Sequence, residues 1–334
     1  MKKRALAAVA IAAAMLMTGC SGGSGDAGGQ PDADGGAGAA SGAPEVTAVN
    51  VGVVPVADAA AAYIALDEGY FEEEGLEVKM EAMQNAAAIV PGVLNGQVQF
   101  GQGAISPIIS AAEQGLPLVI AANAANVPED VEQDPTALLV KAGSGIETPK
   151  DLEGKVVAVN ALQAAIELVV SQTIANDGGD PSQVTYVAMP FADMAGALER
   201  GDIDAAGVIE PFRATGLDAG LVSIASPFAE ALTPGQSHAV YFTSKQFVQE
   251  APNTVAAFER AMQRAAEAAS ADPSLVRAVL VKYGNLPADV AEKINLPGYG
   301  TEVTLESVEK YIEVMEAQGF IALGSVNAAD LFAR

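Results

Sequence analysis

Leu94-Asn95-Gly96-Gln97-Val98-Gln99-Phe100 and Leu198-Glu199-Arg200-Gly201-Asp202-Ile203-Asp204-Ala205 are one phrase written twice: a helix end, a glycine stop and the start of an apolar strand. Gly96 and Gly201 stand 105 residues apart. So do Val51 and Val156, each inside the first β-branched run of its half. Two landmarks at one offset predict two lobes built to one plan. Around them the text alternates short β-branched runs with longer alanine-rich stretches, the pattern of βαβ units on a mostly parallel sheet.

Working outward, the first half reads as a strand over 49–54, a helix over 59–68 closed by Gly69, and a strand over 76–80. Then come a helix over 86–95 interrupted by Pro91, a strand over 98–100, a helix over 107–114 and a strand over 117–122. The second half repeats the order: strand 155–160, helix 161–176, strand 184–188, helix 191–200, strand 203–209, helix 211–219 and strand 221–225. The last third has a strand over 238–243 and then helices over 253–271, 274–283, 287–294 and 305–318, with Asn253, Asp272 and Thr304 as N-caps. This helical tail has no sheet of its own, so it is expected to pack on the first lobe. The chain then crosses between lobes twice, near Ala125–Thr136 and near Thr233–Ser237, and two crossings make a hinge. The predicted layout is residues 45–134 plus 238–334 for the first lobe and 135–237 for the second.

The N-terminal 44 residues have a different character. Lys2-Lys3-Arg4 precedes an unbroken apolar run from Ala5 to Met17, too short to span a bilayer, so residues 1–19 read as a secretory signal peptide. Met17-Thr18-Gly19-Cys20 resembles the lipobox of bacterial lipoproteins, and Cys20 is the one cysteine of the chain. The expectation is palmitate-type acylation at Cys20 and a lipid anchor as the sole contact with the membrane. Residues 20–44, without Leu, Ile, Val or aromatics beyond the cysteine, read as a flexible tether.

Composition narrows the function. The chain has 334 residues, 17 Lys+Arg against 42 Asp+Glu, and a formal charge of −25. Loss of residues 1–19 removes three cations and no acid, leaving −28. Such a surface is wrong for nucleic acid and is repelled by anionic headgroups. One cysteine and one histidine, His238, exclude a disulfide, a multi-cysteine metal site and a His-rich one. No Gly-x-Ser-x-Gly, His-Glu-x-x-His or phosphate-binding Gly-x-x-x-x-Gly-Lys-Ser/Thr motif is present. No cofactor is expected, and the composition leans away from an enzyme.

In open α/β sheets, ligands sit beyond the carboxyl ends of the strands, near helix N-termini. The segments so placed are 54–60, 83–85, 101–106, Asn123, 160–162, 189–194 and 210–211. Candidate contacts are therefore Asp58, Ala59, Gln84, Asn85, Gln102, Gly103, Ala104, Ser106, Asn123, Asn160, Ala161, Phe191, Asp193 and Glu210. Asp58 reads as an N-cap or a contact, Asn85 as a turn residue or a contact, and Phe191 as a core residue or an apolar wall. Asp193 stands at a helix start. Glu210 either orients an amine or ring N–H or pairs with Arg213. Gly101-Gln102-Gly103 suits a close backbone approach to a small ligand. The loop over 54–60 has no Ser, Thr or Arg, which leaves only backbone N–H groups there for an oxyanion. His238, at the return crossing, reads as a hinge or core histidine.

Tyr63-Ile64-Ala65 with Glu68-Gly69-Tyr70-Phe71 and Glu74-Gly75-Leu76-Glu77-Val78 resembles the opening signature of substrate-binding lipoproteins of the nitrate/sulfonate/taurine-type ABC importers, whose relatives bind thiamine-pyrimidine precursors. Gly96-Gln97-Val98-Gln99-Phe100 is similar to that family's Gly-Gln-Val-Asp-Phe phrase, with Gln99 for Asp. Asp151-Leu152-Glu153-Gly154-Lys155, Gly201-Asp202-Ile203-Asp204-Ala205 with Glu210-Pro211, and the stretch 253–271 resemble further family phrases. The resemblance implies the α/β type II periplasmic binding protein fold and an extracytoplasmic, monomeric protein. It also implies that a small-molecule ligand is captured in an interlobe cleft and passed to an ABC permease driven by a cytoplasmic ATPase. A sensory subunit of a membrane receptor would use the same fold. A secreted enzyme would need a carboxylate-only mechanism on Asp193 and Glu210.

Overall fold

The computed structural model describes residues 42–83, 86–284 and 286–332. Cys20 and the segment around it, and Gln84 and Asn85, lie outside the described residues. In chain order the elements are β1 (Ala48–Val53), α1 (Ala60–Asp67), α2 (Tyr70–Glu73), β2 (Glu77–Ala82), α3 (Ala86–Leu94), β3 (Phe100–Ala104), α4 (Ile105–Glu113) and β4 (Leu118–Asn126). They continue as β5 (Thr136–Lys141), β6 (Val156–Val159), α5 (Ala165–Asn176), β7 (Thr185–Ala188), α6 (Phe191–Arg200), β8 (Ala205–Ile209), α7 (Phe212–Asp218), β9 (Leu221–Ser223) and α8 (Pro227–Ala231). The remainder is β10 (Ser237–Ser244), α9 (Lys245–Glu250), α10 (Pro252–Ala271), α11 (Pro273–Gly284), α12 (Ala288–Ala291) and α13 (Leu305–Ala317).

Two five-stranded sheets result, in the orders β2-β1-β3-β10-β4 and β7-β6-β8-β5-β9. The plan is the same in both. Three parallel strands stand second-first-third, and one antiparallel strand separates them from the last. The antiparallel strands, β10 and β5, are the two that follow the crossings over residues 127–135 and 224–236. The 105-residue offset holds in the ladders: Val51 pairs with Met80, and Val156 with Thr185. Gly96 and Gly201 both end a helix in the left-handed region, at φ 77° and 76°, which a glycine adopts without the Cβ clash of other residues.

The sequence reading omits α8 and α9 and begins α5 four residues early, and three strands also differ from it. β5 is additional: Asp134-Pro135 masks a run, Leu138-Leu139-Val140, that is fully buried beside β8. β4 runs four residues further than expected, because pairing with β10 holds its alanine-rich end extended. β3 takes up Gly101 to Ala104, read as a ligand loop. A Cβ at Gly101 would stand 2.3 Å from Ile89 Cγ2 and 2.7 Å from Phe242 Cζ, so this glycine lets α3 and β10 close on the strand.

The helical tail packs through α10 on α1, α2 and β4, and through α11 on α1. Phe258 of α10 stacks on Phe100 at 3.9 Å between centroids and lies beside Phe71 and Tyr241, all fully buried. Thr304 and Asp272 accept backbone N–H bonds as N-caps, from Ser307 and Ser274. Asn253 does not cap. Pro252 begins the helix instead, and the Glu45 carboxylate accepts from the N–H groups of Asn253 and Thr254. That bond pins the start of the folded body to the tail. Among the described residues no helix is long and apolar enough to cross a membrane.

Candidate functional site

Every parallel strand of an α/β sheet delivers its carboxyl end to one edge, and here those edges of the two sheets face a common cavity of about 450 Å³. From the first sheet come Val54 and Val56 after β1, Gln102 to Ala104 at the end of β3, and Pro107, Ser110, Ala111 and Glu113 along α4. From the second come Asn160 to Ala164 after β6, Phe191 at the start of α6, and Ile209 at the end of β8. An adjoining space of about 350 Å³, bounded by Met189, Pro190 and Phe212, shares Val54, Val56, Asn160 and Phe191 with it.

The walls are mostly apolar. Val90 and Pro91 of α3, Leu116 and Phe320 form one side, and Leu162, half exposed, stands at the opposite rim. Phe191 stacks on Phe212 at 5.4 Å and faces both spaces, so it is wall and core at once. Two loops are held in place. The Val54 N–H donates to Gln102 Oε1 at 3.0 Å, and the Gln163 N–H donates to Glu167 Oε2 at 2.8 Å. Gln163 takes a left-handed φ of 55°, which a non-glycine residue adopts only where its surroundings compel it.

The polar floor is Asp58 and His238. Asp58 lies in the turn before α1, 5% exposed, and makes no capping bond. Its Oδ2 lies 3.7 Å from His238 Nδ1, and its Oδ1 has no hydrogen-bond partner. His238, on β10 and 1% exposed, lies against Phe228 with the rings tilted by 41° at 4.3 Å between centroids, and leaves Nε2 without a partner. Burial pushes the Asp58 carboxyl up to about 7 and the His238 imidazole down to about 3. Asn160 Oδ1 is buried and unpartnered as well.

Of the residues expected from sequence, the structure brings Asp58, Gln102, Gly103, Ala104, Asn160, Ala161 and Phe191 together at the cavity. It places five elsewhere. Ala59 is fully buried and does not line the cavity. Ser106 is buried inside α4. Asp193 is exposed on the first turn of α6. Asn123 donates to Asn126 Oδ1 and Gly300 O, both at 2.7 Å, and so ties β4 to the tail. Glu210 spends its carboxylate internally, on Arg213, the Ala214 N–H and the Asn295 N–H. Sequence reasoning missed His238, Phe228 and Phe320 as lining residues. The one available signal was that His238 is a lone imidazole opening a buried strand.

Comparison with known proteins agrees with this architecture. The alkanesulfonate-binding protein SsuA from Xanthomonas axonopodis pv. citri superposes with a TM-score of 0.72 at 16% identity, covering 86% of this chain and 98% of its own. The fold is therefore that of the periplasmic binding proteins. In sequence, the chain is 28% identical to the taurine-binding periplasmic protein of Escherichia coli (strain K12) over 233 residues, 69% of this chain and 70% of that one. It is 24% identical to the 4-amino-5-hydroxymethyl-2-methylpyrimidine phosphate synthase of Schizosaccharomyces pombe over 214 residues, 61% of this chain and 59% of the synthase. Residues 56–275, which hold the carboxyl ends of every parallel strand except β1 and both Asp58 and His238, match the family described as NMT1/THI5 like, and the chain belongs to it.

Proposed function

We propose that this chain is the solute-binding component of an ABC importer, acylated at Cys20, held outside the cytoplasmic membrane by that lipid alone and acting as a monomer. The observation that carries the reading is the placement of one cavity between the facing strand ends of two similar sheets joined by two crossings. A solute bound there touches both lobes only when they are closed, so binding shifts the open–closed equilibrium toward the closed form. The closed form is then the species the permease recognises, and a cytoplasmic ATPase supplies the energy. The relation to a taurine-binding periplasmic protein supports this reading.

An enzyme reading through paired carboxylates finds no support in the geometry. Asp193 is exposed, and Glu210 is buried in bonds to its own chain. Two tests bear on the proposal. A saturating small organic solute raises the stability of the mature protein by about 2–4 kcal/mol, read as a shift in melting temperature. Cys20→Ser moves the protein from the membrane to the soluble fraction. Retention of the variant on membranes contradicts the anchor.

A further inference from the structure

We infer that the cavity is built for a small organic cation, a protonated amine or amidine, whose N–H groups are received by Asp58, His238 Nε2 and Asn160 Oδ1. The inference rests on the solute-binding reading above and specifies its ligand.

Three observations carry it. First, among the described residues no Lys or Arg lines the cavity, while Asp58 and Glu113 do. An oxyanion entering this space meets no countercharge. Second, the unsatisfied polar atoms of the residues lining the cavity are acceptors. Asp58 Oδ1 and Asn160 Oδ1 accept only, and with Nδ1–H directed at the Asn126 backbone carbonyl, His238 Nε2 is a bare acceptor too. Native interiors rarely leave such atoms unpaired, because each one costs desolvation with nothing returned. Three converging on one lined space are what a donor-rich guest requires. Third, the chain carries −25, a field that concentrates cations in a cleft and repels anions. The apolar side formed by Val90, Pro91, Leu116 and Phe320 then covers the hydrocarbon part of the guest.

A cation returns Asp58 to its ionised form. The other titratable groups facing Asp58 are His238 and Tyr241 of β10, Tyr299 before α13 and Tyr311 on α13, and none of the three tyrosines ionises near neutrality. Affinity for a cation therefore climbs with pH up to about 7 and levels off above it. The expected change is about tenfold between pH 6 and pH 8.

The experiment measures melting temperature and calorimetric affinity of the mature protein with benzamidine, propylamine, propanesulfonate and nitrate, in the parent and in Asp58→Asn. Expected are binding of at least one cation, none of either anion, and a loss of about 30-fold or more in Asp58→Asn. The free variant is expected to melt no lower than the parent at pH 8, because it no longer buries an unpaired carboxylate, and this separates lost binding from lost folding. Binding of an anion with no binding of a cation overturns the ligand class but leaves the solute-binding reading standing. Unchanged cation affinity in Asp58→Asn, or an affinity independent of pH from 6 to 8, overturns the role of Asp58. No binding by any probe, together with solution scattering unchanged by all four, overturns both.

Discussion

Glu210→Ala is expected to destabilise the folded chain by about 3–5 kcal/mol, the cost of breaking a buried ion pair from one side. Glu210 directly follows β8 with no exposed side-chain surface, and Arg213 beside it is 21% exposed. Its Oε1 accepts from Arg213 Nη1 at 3.2 Å and the Asn295 N–H at 3.1 Å, and its Oε2 accepts from the Ala214 N–H at 3.1 Å. Burial raises the pKa of this carboxyl, while the three donors and the guanidinium charge pull it back. Alanine leaves all three donors facing a void. The effect reaches beyond one helix turn, because Asn295 also donates from Nδ2 to the carbonyls of Glu132 and Asp134. One cluster thus joins the end of β8, the first crossing and the tail. Urea unfolding reads the loss as a lower midpoint at unchanged slope. Glu210→Gln, which keeps acceptor capacity but no charge, is expected to fall between parent and alanine. A loss under about 1 kcal/mol in Glu210→Ala would show that the cluster is not integral.

The second large effect is an acid sensitivity uncovered by Asp58→Asn. In the folded parent the Asp58–His238 pair loses its first proton near pH 3 and its second near pH 7. In the unfolded chain the same two groups titrate at ordinary carboxyl and imidazole values, 3.8 and 6.5. Both states therefore hold one proton between about pH 4 and 6.5, and the pair contributes no pH dependence there, whichever group carries that proton. With asparagine at 58 the compensation is gone. His238 has a folded pKa below its unfolded one, so its contribution is intact above pH 6.5 and is lost as pH falls toward 3. At about 1.4 kcal/mol per pH unit, Asp58→Asn should lose about 3 kcal/mol relative to the parent between pH 6.5 and 4. Parallel stability curves for parent and variant over that range would refute a His238 imidazole held low by burial. The reverse variant, His238→Gln, should instead weaken as pH rises from 4 to 7, since an Asp58 pKa raised by burial loses its contribution in that window.

Much of the fold was legible because β1, β6 and β8 carry short apolar runs with β-branched residues, and because the landmarks Val51/Val156 and Gly96/Gly201, each 105 residues apart, announced the second sheet. Positions at strand ends could be named without coordinates, which is why Asp58, Gln102, Asn160 and Phe191 meet at the cavity. What stayed hidden depends on distant partners. Nothing near Glu210 announces Asn295, 85 residues later, and nothing near Asn123 announces Gly300. Gly101 looks like a ligand loop in sequence, but its small size serves Ile89 and Phe242. His238 joins Asp58 only because β10 returns from the second crossing into the middle of the first sheet.

Small-angle scattering on the mature protein, titrated with a solute whose binding calorimetry has established, tests closure of the two lobes most directly. The radius of gyration should fall along the binding isotherm and remain unchanged in Asp58→Asn under the same titration. A radius constant through full saturation of the parent would contradict a cleft that shuts on its solute.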